Sequence, residues 1–122
     1  YYTSEKNKFF EELKENMTNH DTTYQWRRVY VRENKSNLVP TLTANMGTGG
    51  HNVPLILAYS GDIRKLTPRE CFNVQGFPKE YKLPNQSNGR LYKQAGNSVV
   101  VPVIERIAKN IADNLLEVSP VK

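Results

Sequence analysis

The sequence predicts an α+β fold, a small, twisted, mostly antiparallel set of strands supported by helices. Three observations carry that reading. Arg28-Val29-Tyr30-Val31-Arg32 alternates strictly, as a half-buried strand does, with Val29 and Val31 inward and the arginines outward. Leu66-Thr67-Pro68-Arg69-Glu70-Cys71 contains a complete helix start. From Val101 to about Leu116, apolar residues recur at helical spacing.

Taken in chain order, Ser4 can cap a helix from Glu5 to Met17, with Phe9, Phe10, Leu13 and Met17 on one stripe. Asn19 to Thr23 is a polar break, and Glu33 to Asn37 reads as a turn after the alternating strand. Thr41-Leu42-Thr43 predicts a short strand, followed by a glycine-rich loop from Asn45 to Asn52. Val53 to Tyr59 is a continuous apolar strand whose Pro54 suits an edge or first position. Thr67 then stands at an N-cap, Pro68 at N1 and Glu70 at N3, with Leu66 and Cys71 in the staple positions. Gly76 ends that helix as a C′ glycine, and Lys79 to Arg90 predicts a loop. The last helix carries Val100, Ile104, Ile107, Ile111 and Leu115 on one face, widened by Val103 and Ala108. That face either completes the local core or docks on a partner domain.

The 122 residues leave room for one domain with a modest core, and 38% hydrophobic content is too high for a disordered tail. No apolar run approaches the ~20 residues that cross a bilayer, and no signal-peptide pattern opens the chain, so the cytoplasm is the expected compartment. An opening Tyr1 without an initiator Met suggests a piece of something longer. A lone cysteine forms no internal disulfide. His20 and His51 are far apart and have no Cys or acid cluster near them, so no metal is expected.

The net charge of +5 is unevenly spread. Residues 1–23 carry −2, residues 24–61 carry +3, residues 62–95 carry +4, and residues 96–122 balance. A polyanion could use the basic middle, or it could be an ordinary solvated surface.

Two stretches resemble the closing motifs of the DNA (cytosine-5)-methyltransferase family. Arg64 to Pro78, RKLTPRECFNVQGFP, is similar to the ninth motif, and Leu91 to Val103, LYKQAGNSVVVPV, is similar to the tenth. Upstream, PTLTANMGTGG resembles the Thr-Leu dipeptide and Thr-Gly-Gly loop that close a target-recognition region. The resemblance implies that residues 1–60 are part of that region and residues 61–122 hold both motifs and the last helix. It also implies that this helix docks on a Rossmann-like methyltransferase domain absent from the chain.

Family members flip a cytosine from the duplex, attack its carbon 6 with a cysteine, and methylate carbon 5 from S-adenosylmethionine. The Pro-Cys nucleophile loop, the Phe-x-Gly-x-Gly loop, Glu-Asn-Val and Gln-x-Arg-x-Arg are absent here. The chain alone is therefore expected to be inactive, with no catalytic residue of its own. Cys71 follows Glu70 rather than Pro and reads as a small buried hydrophobe.

By resemblance, Gly96, Asn97 and Ser98 are the cofactor-side candidates; alternatively, Asn97 and Ser98 only organise the turn before the last helix. Arg27, Arg28, Arg32 and Lys35 are candidates for phosphates. Thr41, Thr43, Asn45, Thr48, Gly49, Gly50 and His51 are candidates for base edges or backbone, though a plain hairpin turn is the commoner use of such glycines. Thr67, Arg69, Glu70 and Gln94 are assigned structural roles. The expected function is recognition of a specific duplex DNA sequence and completion of the S-adenosylmethionine site in a bacterial or phage-type enzyme, often half of a restriction–modification pair. A subunit of a split methyltransferase, a non-enzymatic DNA-binding module and an RNA cytosine methyltransferase are the alternatives.

Overall fold

The computed structural model describes residues 9–27, 30–46 and 53–118, with side chains as far as 116. The expected helix cap at Ser4 and the first half of the predicted strand, Arg28 and Val29, lie outside these residues, as do Thr48, Gly49, Gly50 and His51.

The elements are α1 (Phe10–Asn16), β1 (Tyr24–Arg27), β2 (Tyr30–Glu33), β3 (Leu55–Leu57), β4 (Ile63–Lys65), α2 (Pro68–Val74), α3 (Asn88–Asn97) and α4 (Val101–Val118). The four strands form one antiparallel sheet in the order β2-β1-β3-β4, so the architecture is α+β as the sequence predicts.

β1 is an element the sequence reading passes over. Tyr-Gln-Trp-Arg does alternate, but its inward residues are aromatic and it sits beside a polar break, so the pattern is easily read as loop. Tyr24 and Trp26 are buried, and Val31 of β2 stands opposite Trp26. Together with Leu13, Met17, Leu55 and Ile63 they form one core cluster, over which Phe9 lies with ring centroids 4.4 Å from Trp26. The Tyr24 hydroxyl accepts from the backbone N–H groups of Thr18 (3.2 Å) and Asn19 (2.8 Å). The chain leaving α1 is thereby tied to the sheet.

β3 is shorter than the predicted Val53–Tyr59 strand. Pro54 brings no N–H to a ladder, and its carbonyl accepts from Leu66 outside the strands. After Leu57 the chain turns through Gly61, whose φ of +89° suits glycine, into β4. Thr41-Leu42-Thr43 joins no strand. It is held by Leu42 and Met46, which insert into a second core cluster with Val53, Leu66, Cys71, Phe72 and Ala95.

The predicted loop from Lys79 to Arg90 ends early, because α3 begins at Asn88. Ser87 caps it by accepting from the Arg90 N–H, and Leu91 and Ala95, one turn apart, supply the buried face. Gly89 and Gly96 lower the helix signal of this stretch. Gly96 is nevertheless required: a Cβ there would overlap the Thr43 carbonyl and the Ala44 nitrogen. α4 runs as predicted, and its stripe is bare among the described residues, with Ile104 45%, Ile107 49%, Ile111 55% and Leu115 64% exposed.

Replacing Tyr24 by Phe removes the acceptor for two backbone donors while keeping the ring. A loss of about 0.5–1.5 kcal/mol in urea unfolding free energy is expected.

Candidate nucleic-acid interface and adjoining groove

The alternation of β1 that buries Tyr24 and Trp26 sends Gln25 and Arg27 to the opposite face. Register sets Arg32 opposite Gln25 and Tyr30 opposite Arg27, so this face of the β1–β2 pair carries Gln25, Arg27, Tyr30 and Arg32. Residues 40–45 pass alongside it. Gln25, Arg27, Pro40, Thr41, Thr43 and Asn45 line a cavity of about 320 Å³. Inside it the Thr43 hydroxyl donates to Asn45 Oδ1 at 2.6 Å. Four of these six residues are sequence-predicted; Gln25 and Pro40 are not. Arg32 lines a separate cavity with Glu33, Asn34, Lys35 and Ser36, so Arg32 shares the strand face with Arg27 but not its cavity, and Lys35 shares neither.

The far end of the sheet has the opposite sign. Tyr59 donates to Asp21 Oδ1 at 3.1 Å and stacks on His20, and Ser60 donates to Asp62 Oδ2. Glu33, opposite Tyr24 at the start of β1, accepts from the Asn19 amide. The basic side chains of this face thus lie at its Arg27 end and the acidic ones at the Asp21 end.

A second groove, of about 560 Å³, lies on the other side of Pro40-Thr41. Its walls are residues 37–42, Val74 and Gln75 of the α2 end, and Gly96, Ser98 and Val100 of the α3–α4 turn. Pro40 and Thr41 thus belong to both cavities.

The turn is tightly held. The Ala95 carbonyl accepts from the Ser98 N–H (3.3 Å), the Ser98 hydroxyl (2.6 Å) and the Gln75 amide (3.2 Å). The Gln75 carbonyl in turn accepts from the Val101 N–H at 2.7 Å, fixing the start of α4. Ser98 therefore does organise the turn, and its oxygen keeps lone pairs for a further donor. Asn97 is exposed as the last residue of α3, and Gln94 is exposed on the same helix. Gln75 stands within the quoted ninth motif, yet only the fold reveals that it joins both motifs.

α2 starts as predicted: Thr67 accepts from the Glu70 N–H, and Glu70 accepts from the Thr67 N–H at 2.8 Å. The fold adds Arg64, whose guanidinium grips the Glu70 carboxylate through two bonds of 2.8 and 2.9 Å, linking β4 to α2. The bonds from Arg64, then from Thr67, hold the Glu70 carboxyl below its ordinary value. Arg69 is half-buried, and its Nη1 is buried without a partner among the described residues. Cys71 is buried, and burial followed by the Glu70 charge pushes its thiol up to about 12. Among the described residues there is no cluster of three or more groups able to hold a metal, and no helix long and apolar enough to cross a membrane.

The Thr67–Glu70 cap and the Gly96–Ser98 turn lie in one chain, in the order of the two resembling motifs. A sequence profile described as C-5 cytosine-specific DNA methylase matches residues 2–113. This chain belongs to that family.

Its relatives are bacterial. Type II methyltransferase M.Bsp6I of Bacillus sp. (strain RFL6) is 66% identical over 116 residues, which are 95% of this chain and 36% of that protein. Type II methyltransferase M.HhaI of Haemophilus parahaemolyticus is 47% identical over 68 residues, 56% of this chain and 19% of that protein. Type II methyltransferase M.SsoII of Shigella sonnei is 43% identical over 75 residues, 62% and 19% respectively. The chain spans about a third or less of the length of these relatives.

Three measurements check this geometry. Thiol titration with Ellman's reagent should find Cys71 unreactive at neutral pH in the folded protein and reactive once urea unfolds it. The folded-state pKa of Glu70 is depressed, so its contribution to stability is complete above the ordinary carboxylate value and fades as pH falls through the folded value. Glu70→Gln should lower stability at pH 7 and flatten this acid dependence in urea titrations between pH 3 and 7. Gly96→Ala should cost roughly 1–3 kcal/mol, because the obstacle is backbone and cannot rotate aside.

Proposed function

We propose that this chain is the DNA-reading and cofactor-completing part of a type II DNA (cytosine-5)-methyltransferase. In this reading residues 1–60 contribute to recognition of a specific duplex sequence, and residues 61–122 finish the S-adenosylmethionine site. The division is one of role, since the β3–β4 hairpin spans it. The observation that carries the reading is the shared wall at Pro40-Thr41. On one side lies a face bearing Gln25, Arg27 and Arg32; on the other lies the groove holding Gly96 and Ser98.

Arg27 and Arg32 neutralise phosphates, and Thr41, Thr43 and Asn45 bring hydroxyl and amide groups to base edges or backbone. Arg28, as a further phosphate contact, and Thr48, Gly49, Gly50 and His51 are assigned to the same recognition role from the sequence alone. On the groove side, the donor set suits an amino acid and ribose: the exposed Asn97 amide, the Ser98 oxygen and close backbone approach at Gly96. Bound S-adenosylmethionine supplies the methyl group for carbon 5 of cytosine. The residues of this chain hold and orient that cofactor and bring the duplex beside it. The nucleophile comes from elsewhere in the enzyme, because the Cys71 thiol is buried and held protonated. Thr67, Arg69, Glu70 and Gln94 serve the frame.

A self-contained DNA-binding module would cover the apolar face of α4 from within. The exposure of Ile104, Ile107, Ile111 and Leu115 supports a catalytic partner domain instead, whether in the same polypeptide or in a separate subunit. The compartment in this reading is the bacterial cytoplasm.

The deciding experiment is a methyl-transfer assay with tritiated S-adenosylmethionine on bacterial genomic DNA. The full product of the gene should label cytosine carbon 5, and residues 1–122 alone should label nothing. Preference for structured RNA over duplex DNA would overturn the substrate assignment. In a salt titration of duplex binding, Arg27→Ala should reduce the slope of log K against log salt by about 0.9.

A further inference from the structure

Resting on the reading of the β1–β2 face as DNA-facing, we infer that Gln25 reads a base, accepting a hydrogen bond from the exocyclic amino group of an adenine or cytosine. Such a group is the N6 amine of adenine or the N4 amine of cytosine, both displayed in the major groove.

Three facts converge on this residue. First, β1 alternates, so the strand that buries Tyr24 and Trp26 must present Gln25 with Arg27 on the other face, opposite Arg32 of β2. Second, Gln25 belongs to the wall of the cavity shared with Arg27, Thr41, Thr43 and Asn45. Every side chain there except Pro40 is polar, and the neighbouring Arg27 suits a phosphate. Third, Gln25 Oε1 is buried and meets no donor among the described residues. A buried acceptor left without a donor is destabilising, so a strand glutamine in this state is a poor way merely to fill space. Rotation about the last side-chain torsion exchanges the two ends of the carboxamide, and can present the oxygen to the cavity. A base that brings an N–H there removes the deficit, whereas a base with a carbonyl at the same place sets acceptor against acceptor.

That arrangement also separates tasks. Arg27 and Arg32 hold the backbone of whatever duplex is present, and Gln25 distinguishes one base position. A rigid strand fixes the carboxamide more closely than a loop would.

The test uses the full product of the gene. Bisulfite sequencing of genomic DNA from cells expressing it defines the methylated motif. Duplexes of that motif are then made with each non-target adenine replaced by purine, or each non-target cytosine by 2-pyrimidinone, so that one amino group is lost at a time. The wild-type protein should lose roughly 10- to 100-fold in affinity at one position. Gln25→Met keeps the length of the side chain without the acceptor; it should bind the altered and unaltered duplexes equally. Gln25→Glu, which keeps an acceptor oxygen, should restore the discrimination. Thermal melting of Gln25→Met should be no lower than wild type, because an orphan acceptor has been removed; a fall would mark Gln25 as structural. If adenine is the base, only the purine series responds; if cytosine, only the pyrimidinone series. Equal sensitivity of wild type and Gln25→Met at every position overturns the inference while leaving DNA recognition intact. Methylation without any motif overturns both.

Discussion

The fold turns on one backbone-to-backbone approach, α3 at Gly96 against the chain at Thr43-Ala44. It brings together two stretches that no hydrogen-bonded ladder joins. Residues 41–46 share no strand pairing, so their position depends on this contact and on the insertion of Leu42 and Met46 beside Ala95. On the other side of the same helix end, Gln75 bonds the Ala95 carbonyl and receives the first amide of α4. A single turn of helix thus sets the distance between the candidate DNA-facing segment and the candidate cofactor turn. A side chain there would need the two backbones to separate, and both cavities would change shape together.

The frame behind this contact is electrostatic and local. The Glu70 carboxylate takes bonds from the Thr67 amide and from both arms of Arg64. That joins the last strand to the helix that follows it across a two-residue connection. Cys71 and Phe72 on the next turn then reach the second core cluster. The Nη1 of Arg69, next to this clamp, is buried and has no partner among the described residues.

Much of this was legible in the sequence, and the reasons differ by element. The start of α2 depends on residues within four positions of one another, so Thr67, Pro68 and Glu70 announce it. The stripe of α4 is long enough for periodicity alone. β1 is obscured because its inward residues are large aromatics flanked by polar neighbours, and β4 because three residues show no period. α3 is masked by two glycines, one of which is there for a neighbour distant in sequence. The same distance hides Gln25 and Gln75: each acquires its place only when a remote segment folds over it. Arg27, Thr41, Thr43 and Asn45 share one cavity although the sequence assigns them to two kinds of contact, while Arg32 and Lys35 line another.

The lack of ladder bonds in residues 41–46 has a thermodynamic meaning of its own. Among the described residues, the Met46 N–H of this stretch bonds the Thr43 carbonyl, and Leu42 and Met46 are buried in the second core cluster. The stretch is therefore held by side-chain burial and by the close approach of Gly96 rather than by the sheet. Segments outside the ladders are the ones that open locally at free energies below that of global unfolding. Amide exchange in residues 41–46 should accordingly be faster than in β1 to β4.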